Sequence, residues 1–208
     1  MTKEEELELI KRVLDGDSSA FEGLVLDNQT KVYNLALKMV GNEEDAFDMS
    51  QEAFLKAYNS IGSFRGDSKF SVWLYRLTSN VCLDFLRSKS RHPHNSLTYM
   101  NEEDEKELDI PDDRLTPQGE VEKKELQEAV RKGILKLPKE YRVILLLREI
   151  DGLSYDEIAK ALELEKGTVK SRIFRARKKL CEILMEDGNF SNKKSSKTKE
   201  GGVKHGKL

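Results

Sequence analysis

Cysteine is nearly absent from this chain of 208 residues, with only Cys82 and Cys181. So few thiols exclude a disulfide framework, and in a reducing compartment both read most simply as small core residues. Histidine is equally scarce. His92 and His94 flank Pro93 with no acidic or cysteine companion at ligand spacing, which argues against a metal site there. Long apolar runs are missing too: the longest, Val143 to Leu147, suits a protein core and is far too short for a bilayer. The amino terminus is acidic and lacks the apolar stretch of a signal peptide, so the expected compartment is the cytosol. No nucleophile with a neighbouring base, no glycine-rich phosphate loop and no zinc spacing is present. The expectation is a protein without cofactor, metal or catalysis.

What the chain has in quantity is charge, unevenly placed. The formal net charge is only −2, with 36% charged and 38% hydrophobic residues, a balance that suits small helical bodies. Between Thr98 and Glu122 ten acids stand against Lys106 and Arg114, and Pro111 and Pro117 interrupt any long helix. This reads as a flexible acidic linker over 96–122, dividing an all-α chain into a body over 1–95 and another over 123–186. From 187 to 208 the residues are mostly Lys, Ser, Asn and Gly, a composition that predicts a disordered basic tail.

Between Lys166 and Leu180 seven positive charges occur and no negative one. At about 100° per residue, Val169, Ile173, Ala176 and Leu180 fall on one stripe of a helix, with Ser171, Phe174, Arg175 and Lys178 opposite. The preceding segment opens with Ser154 and Glu157 at capping-box spacing, and its apolar Ile158, Ala159 and Leu162 can meet Val169 and Ile173 across a short turn. That is a helix-turn-helix pattern, whose second helix enters a DNA major groove. Lys170, Arg172, Arg175 and Lys178 suit phosphates or guanine edges, Ser171 donates or accepts, and Phe174 offers an apolar group to a thymine methyl. Glu163 occupies the place in the turn where glycine is common, and a left-handed conformation would suit it poorly, so a turn of different shape is expected.

Four helices are expected in the amino-terminal body. Thr2 with Glu5, and Ser19 with Glu22, have capping-box spacing; the first pair precedes Leu7, Ile10 and Leu14, the second Phe21, Leu24, Val25, Leu35 and Met39. The third helix carries Glu43, Glu44, Asp45, Asp48 and Glu52 with no basic neighbour expected. Such a ridge repels itself unless a positively charged partner offsets it. The fourth helix has a core stripe of Phe70, Leu74, Leu77, Val81 and Phe85, and a polar stripe of Arg76, Asn80 and Arg87. Trp73 flanks the core stripe and Tyr75 points away from it. With Phe64 and Arg65 on the preceding loop, this mixture of aromatics, Arg and Asn suits single-stranded nucleic acid, whose unstacked bases are stacked upon and read at their edges.

These three segments, in this order, resemble a bacterial extracytoplasmic-function sigma factor, the compact group that keeps only regions two and four of the sigma architecture. DMSQEAFLKAY resembles region 2.2, SFRGDSKFSVWLYRLTSN regions 2.3 and 2.4, and GLSYDEIAKALELEKGTVKSRIFRARKKL region 4.2. The resemblance implies that Asp48, Gln51, Glu52 and Phe54 contact core RNA polymerase. It implies that Phe64, Arg65, Gly66, Asp67 and Ser68, with Asn80 and the neighbouring Arg76, read a flipped base of the downstream promoter box. Lys170, Ser171, Arg172, Phe174, Arg175 and Lys178 then meet the duplex upstream box. It also implies a stress-responsive factor under an anti-sigma protein, often membrane-anchored. Two rivals are weaker. A free-standing helix-turn-helix repressor would need a dimer seam that the sequence does not advertise. A magnesium-dependent nucleotide hydrolase could use Glu44, Asp48 and Glu52, but only Asp84 offers itself as an opposing carboxylate.

Overall fold

The computed structural model describes residues 1–91 and 117–187, and among them every regular element is helical. Thr2 accepts from the Glu5 amide while the Glu5 carboxylate accepts from the Thr2 amide, which starts α1 (Lys3–Leu14) as expected. Helix α2 (Ala20–Val40) begins differently. Ser19 is itself in helical conformation and its hydroxyl donates to Asp17 at 2.5 Å, so the Ser19–Glu22 capping box does not form. The Asp17 carboxylate, which also accepts from the Ser19 amide and from Arg12, organises that turn and is held below its ordinary value by the Ser19 hydroxyl first and Arg12 next. Gly41 ends α2 with φ 89°, and Asn42 then caps α3 (Glu43–Ser60) by accepting from the Asp45 amide at 2.9 Å.

A 3₁₀ turn at Ile61–Ser63 and a loop lead to α4 (Phe70–Arg91). Its first amide donates to the buried Glu6 carboxylate at 3.1 Å, so α1 supplies the anion at the amino end of α4. That contact explains the side of α1 that faces inward: Glu6 and Ile10 are buried, whereas Leu7 and Leu14 are exposed. Phe21, Leu24, Val32, Phe70, Trp73 and Leu74 form the core between α1, α2, α3 and α4.

The carboxyl-terminal half comprises α5 (Pro117–Lys136), α6 (Lys139–Glu149), α7 (Tyr155–Leu162) and α8 (Lys166–Glu186). Most of the segment read as a linker lies outside the described residues; its end does not, because α5 starts at Pro117, a proline suited to a first helical position. The tail beyond Asp187 also lies outside them. Helix α6 is buried along the whole run from Val143 to Leu147, packed against α2, α4, α7 and α8. Among the described residues no helix is long and apolar enough to cross a membrane.

The two halves share a core. Leu35, Met39, Val72 and Tyr75 from the first pack with Leu137, Val143, Ile144 and Ile158 from the second. Helix α4 is therefore buried on two faces, Phe70, Trp73 and Leu74 on one and Val72, Tyr75 and Cys82 on the other. This corrects the placing of Tyr75 away from the core: it is 5% exposed, because the second half covers it, and its hydroxyl donates to Asp151 at 3.1 Å. Arg142 ties the halves at the backbone. Its buried guanidinium donates to the carbonyl of Met39 near the end of α2 and to those of Leu135 and Leu137 around the end of α5. A cation at two helix carboxyl ends answers carbonyls that would otherwise be orphaned. Burial alone pulls its pKa below the ordinary arginine value.

Candidate nucleic-acid interface

Helices α7 and α8 form the helix-turn-helix. Ser154 and Glu157 cap each other across the first turn of α7, the Glu157 amide donating to Ser154 Oγ at 3.2 Å and the Ser154 amide to Glu157 at 2.8 Å. The Ser154 backbone and then its hydroxyl hold the Glu157 carboxyl below its usual range. The turn has the left-handed shape that Glu163 was expected to resist: it sits at φ 53° and ψ 47°, and its amide and that of Leu164 both donate to Ala159 O. Ile158 and Ala161 then bury against Val169, Ile173 and Ala176 of α8.

The outer face of α8 is where the wheel puts it. Lys170, Ser171, Phe174, Arg175 and Lys178 are exposed and Arg172 half-buried. Phe174 is 70% exposed, a large apolar ring with water on most of its surface. The cations of the helix separate into two groups. Lys166 pairs with Asp156 at 2.9 Å, Arg177 with Glu149 at 2.5 Å and Lys179 with Glu182 at 3.2 Å. Lys170, Arg172, Arg175 and Lys178 have no ion pair among the described residues. The paired cations brace the helix; the unpaired ones present charge outward, with the donor chemistry of phosphate and base-edge contacts.

In the first half the loop before α4 is drawn together by an aromatic triangle. Phe64 lies 5.7 Å from Phe70, edge-on, and 5.5 Å from Trp73. Phe64 is half-buried in this way, so it belongs to the edge of the core as well as to the loop. Gly66 takes φ 71°, which only glycine adopts without strain, and Arg65 and Asp67 stand exposed beside it. Asn80 is exposed one turn beyond Arg76 on α4. With Trp73 and Arg76 the loop walls a cavity of about 480 Å³ that is also lined by Lys160 of α7 and by Glu163 in the turn after it. Arg76 is not free: it donates to Glu163 at 2.6 Å, while Lys160 donates to the Asp67 carbonyl at 2.7 Å. Sequence reasoning missed Lys160 and Glu163, since nothing local tells that α7 lies across α4.

On α3, Asp48, Gln51 and Glu52 are exposed along one face with Leu55, and Phe47 is 56% exposed beside them. Phe54 is apart from that face, half-buried against the amino-terminal core. The acidic ridge has basic neighbours after all. Lys56 pairs with Glu52 at 3.2 Å and Lys89, from α4, with Asp45 at 2.9 Å, whereas Glu43, Glu44 and Asp48 have no ion pair among the described residues. Asp84, the carboxylate that a metal-dependent reading required, pairs with Arg87 at 2.9 Å, and the described residues hold no group of three or more metal-ligating side chains. Cys82 is buried in the shared core; Cys181 is exposed on α8, contrary to its reading as a core residue.

Comparison with known proteins agrees with this arrangement. A family model for sigma-70 region 2 matches residues 24–92 and one for sigma-70 region 4 matches residues 127–180. The chain is 39% identical over 185 residues to RNA polymerase sigma-H factor of Pseudomonas aeruginosa, covering 88% of this chain and 96% of that one. It is 41% identical over 170 residues to ECF RNA polymerase sigma-E factor of Escherichia coli K12, covering 81% and 88%. With ECF RNA polymerase sigma factor SigW of Bacillus subtilis the identity is 39% over 185 residues, covering 85% and 95%. Among solved structures, CnrH in complex with the cytosolic domain of CnrY superposes with a TM-score of 0.60 at 26% identity, over 86% of this chain and 96% of that one. The fold of the sigma factor RpoE from Bartonella quintana, solved with the anti-sigma factor NepR, matches with a TM-score of 0.57 at 23% identity, over 80% and 98%. With both matched regions in order and identity near 40% across most of its length, the chain belongs to the extracytoplasmic-function sigma factors of the sigma-70 family.

Proposed function

We propose that this protein binds core RNA polymerase and directs it to promoters by reading an upstream duplex box with α8 and a downstream melted box with the loop before α4. The observation that carries the reading is the outer face of α8, where Lys170, Arg175 and Lys178 have no ion pair among the described residues, beside a Phe174 that is 70% exposed. The polymerase contact falls to Asp48, Gln51 and Glu52, and Phe54 supports that helix from the core side. The functional bodies are 1–95 and 123–186, joined by 96–122. The protein makes no bonds itself; the polymerase does. An anti-sigma protein is the expected negative partner, as the family implies, and its anchoring would hold this protein at the membrane.

Magnitudes assign the labour. Opening a dozen base pairs costs on the order of 15 kcal/mol at about 1.4 per stacking step, whereas one good bidentate base contact discriminates by about 1–3 kcal/mol. Two small helical bodies do not supply that difference, so the free protein binds promoters weakly and polymerase contributes the rest. The test is reconstitution with core polymerase and mapping of transcription starts across the source genome. The expected result is a shared pair of boxes upstream of the starts that depend on this protein. Absence of association with core polymerase, or starts no different from those of core alone, overturns the reading.

A further inference from the structure

Resting on the proposed function, we infer that α1 sets the downstream-box loop: Glu6 and Leu7 are positioning residues that fix how residues 64–68 meet a base, acting through the loop and not on the base. The residues just before α4 are poorly suited to cap it. The Lys69 side chain carries no acceptor, and the Ser68 hydroxyl donates to the Lys69 carbonyl at 3.2 Å. The acceptor comes instead from α1, where the Glu6 carboxylate takes the Phe70 amide at 3.1 Å. Glu6 is only 6% exposed. Burying a carboxylate is costly unless it is hydrogen-bonded, and an apolar residue beside Ile10 would close the core better. The amide at the start of α4 is therefore the reason for an acid at this position.

Further contacts hold α1 against the loop. A Cβ on Gly66 would lie 3.5 Å from Leu7 Cδ2, and one on Gly62 would lie 3.7 Å from Leu14 Cδ2, so both leucines rest on the backbone leading to α4. Gly66 bends the loop, at φ 71°, where Leu7 backs it. Phe70, whose amide Glu6 holds, meets the Phe64 ring edge-on at 5.7 Å, which carries the position of α1 to the aromatic at the head of the loop. Helix α1 is itself seated on α2. Ile10 is buried, a Cβ on Gly23 would stand 2.9 Å from Leu9 Cδ1, and the Met1 amino group pairs with Asp27 at 3.2 Å. The helix thus joins a firm support to the segment that reads the base. Displacing it releases Phe64 and Gly66 to other positions, and hydrogen bonds to a base edge weaken steeply as their geometry departs from the favoured range.

The test uses holoenzyme reconstituted with core RNA polymerase and probes taken from the mapped promoters. One probe is a single strand carrying the downstream box, set against the same strand altered at one position of the box; the other is a duplex carrying the upstream box. Glu6→Ala should lower the preference for the matched strand by about fivefold or more, and Leu7→Ala by about threefold, within what one good base contact discriminates. Glu6→Gln keeps an acceptor for the Phe70 amide and should stay within about twofold of the parent, as should core association and upstream-duplex affinity in all three variants. Ser154→Ala, which weakens a helix start elsewhere, should leave the preference unchanged, because lost stability lowers matched and altered binding together whereas a misplaced loop changes their ratio. A parental preference in Glu6→Ala or in Leu7→Ala removes that residue from the role. A parental preference in both, or an equal loss in Ser154→Ala, overturns the inference and leaves the sigma-factor reading intact. A parent holoenzyme that binds matched and altered strands alike strikes the proposed function instead.

Discussion

Arg175 and Asp151 show how differently two charged residues are used. Arg175 is exposed on α8 with no intramolecular ion pair among the described residues, so its replacement by Ala removes charge aimed outward and should leave folding untouched. With holoenzyme on a duplex upstream box, Arg175→Ala should cost about 1–3 kcal/mol and reduce the slope of log affinity against log salt by about one; footprinting across a salt series checks it. Asp151 is turned inward. Burial raises its pKa above the ordinary 3.8, opposed by the Tyr75 hydrogen bond and by Lys38. A raised carboxyl pKa means the folded state holds the proton more tightly than the unfolded one. Its contribution is therefore most favourable below the ordinary value and is lost as pH climbs from there through the raised one. Asp151→Asn keeps an acceptor for Tyr75 and should flatten that decline, which thermal unfolding measured from acid to neutral pH will show. The phenol of Tyr75 is pushed up by burial first and by the Asp151 charge next, so it stays protonated throughout.

Helix ends separate what a short motif can reveal from what it cannot. Ser154 and Glu157 form the capping box their spacing announces, and Ser154→Ala should destabilise by about 1 kcal/mol, visible as a lowered urea midpoint. Because the Glu157 pKa is depressed, its share of that stability is present above the ordinary glutamate value and disappears as pH falls below it. Ser19 and Glu22 have the same spacing and form no box, because Asp17 two residues earlier takes the Ser19 hydroxyl. A nearer acceptor decides the outcome, and residue spacing does not register it. The amino end of α4 is capped from a distance by Glu6, 64 residues away in the chain. Glu6→Ala should cost about 1–2 kcal/mol by orphaning the Phe70 amide and removing an anion from the helix dipole; the urea midpoint again measures it, and the far-ultraviolet helix signal should hold.

At the scale of the whole molecule the shared core makes the two halves one cooperative unit. Arg142 reaches backbone on both sides, through Met39 in the first half and Leu135 and Leu137 in the second. Arg142→Leu should destabilise by about 3 kcal/mol or more, since several buried carbonyls lose their donor at once. Calorimetry of the parent should show one transition, and Arg142→Leu should broaden or split it as the halves uncouple. Burial on both faces explains why α4 carries Phe70 and Trp73 on one side and Tyr75 and Val72 on the other. The aromatic content of α4 was legible as mixed, but a wheel drawn for one helix with one core assigns Tyr75 to solvent.

The amino-acid sequence alone determined the all-helical class, the helix-turn-helix, the outward cationic face of α8 and the family. Each depends on periodicity, capping spacing or short motifs, which are properties of neighbouring residues. Tertiary structure alone decided the partners of Arg76, Tyr75, Glu6 and Arg142, the exposure of Cys181 and the left-handed turn at Glu163. Those outcomes join residues far apart in the chain or balance local strain against a distant contact. Their energies come from which surfaces meet, and that is set only when the halves pack.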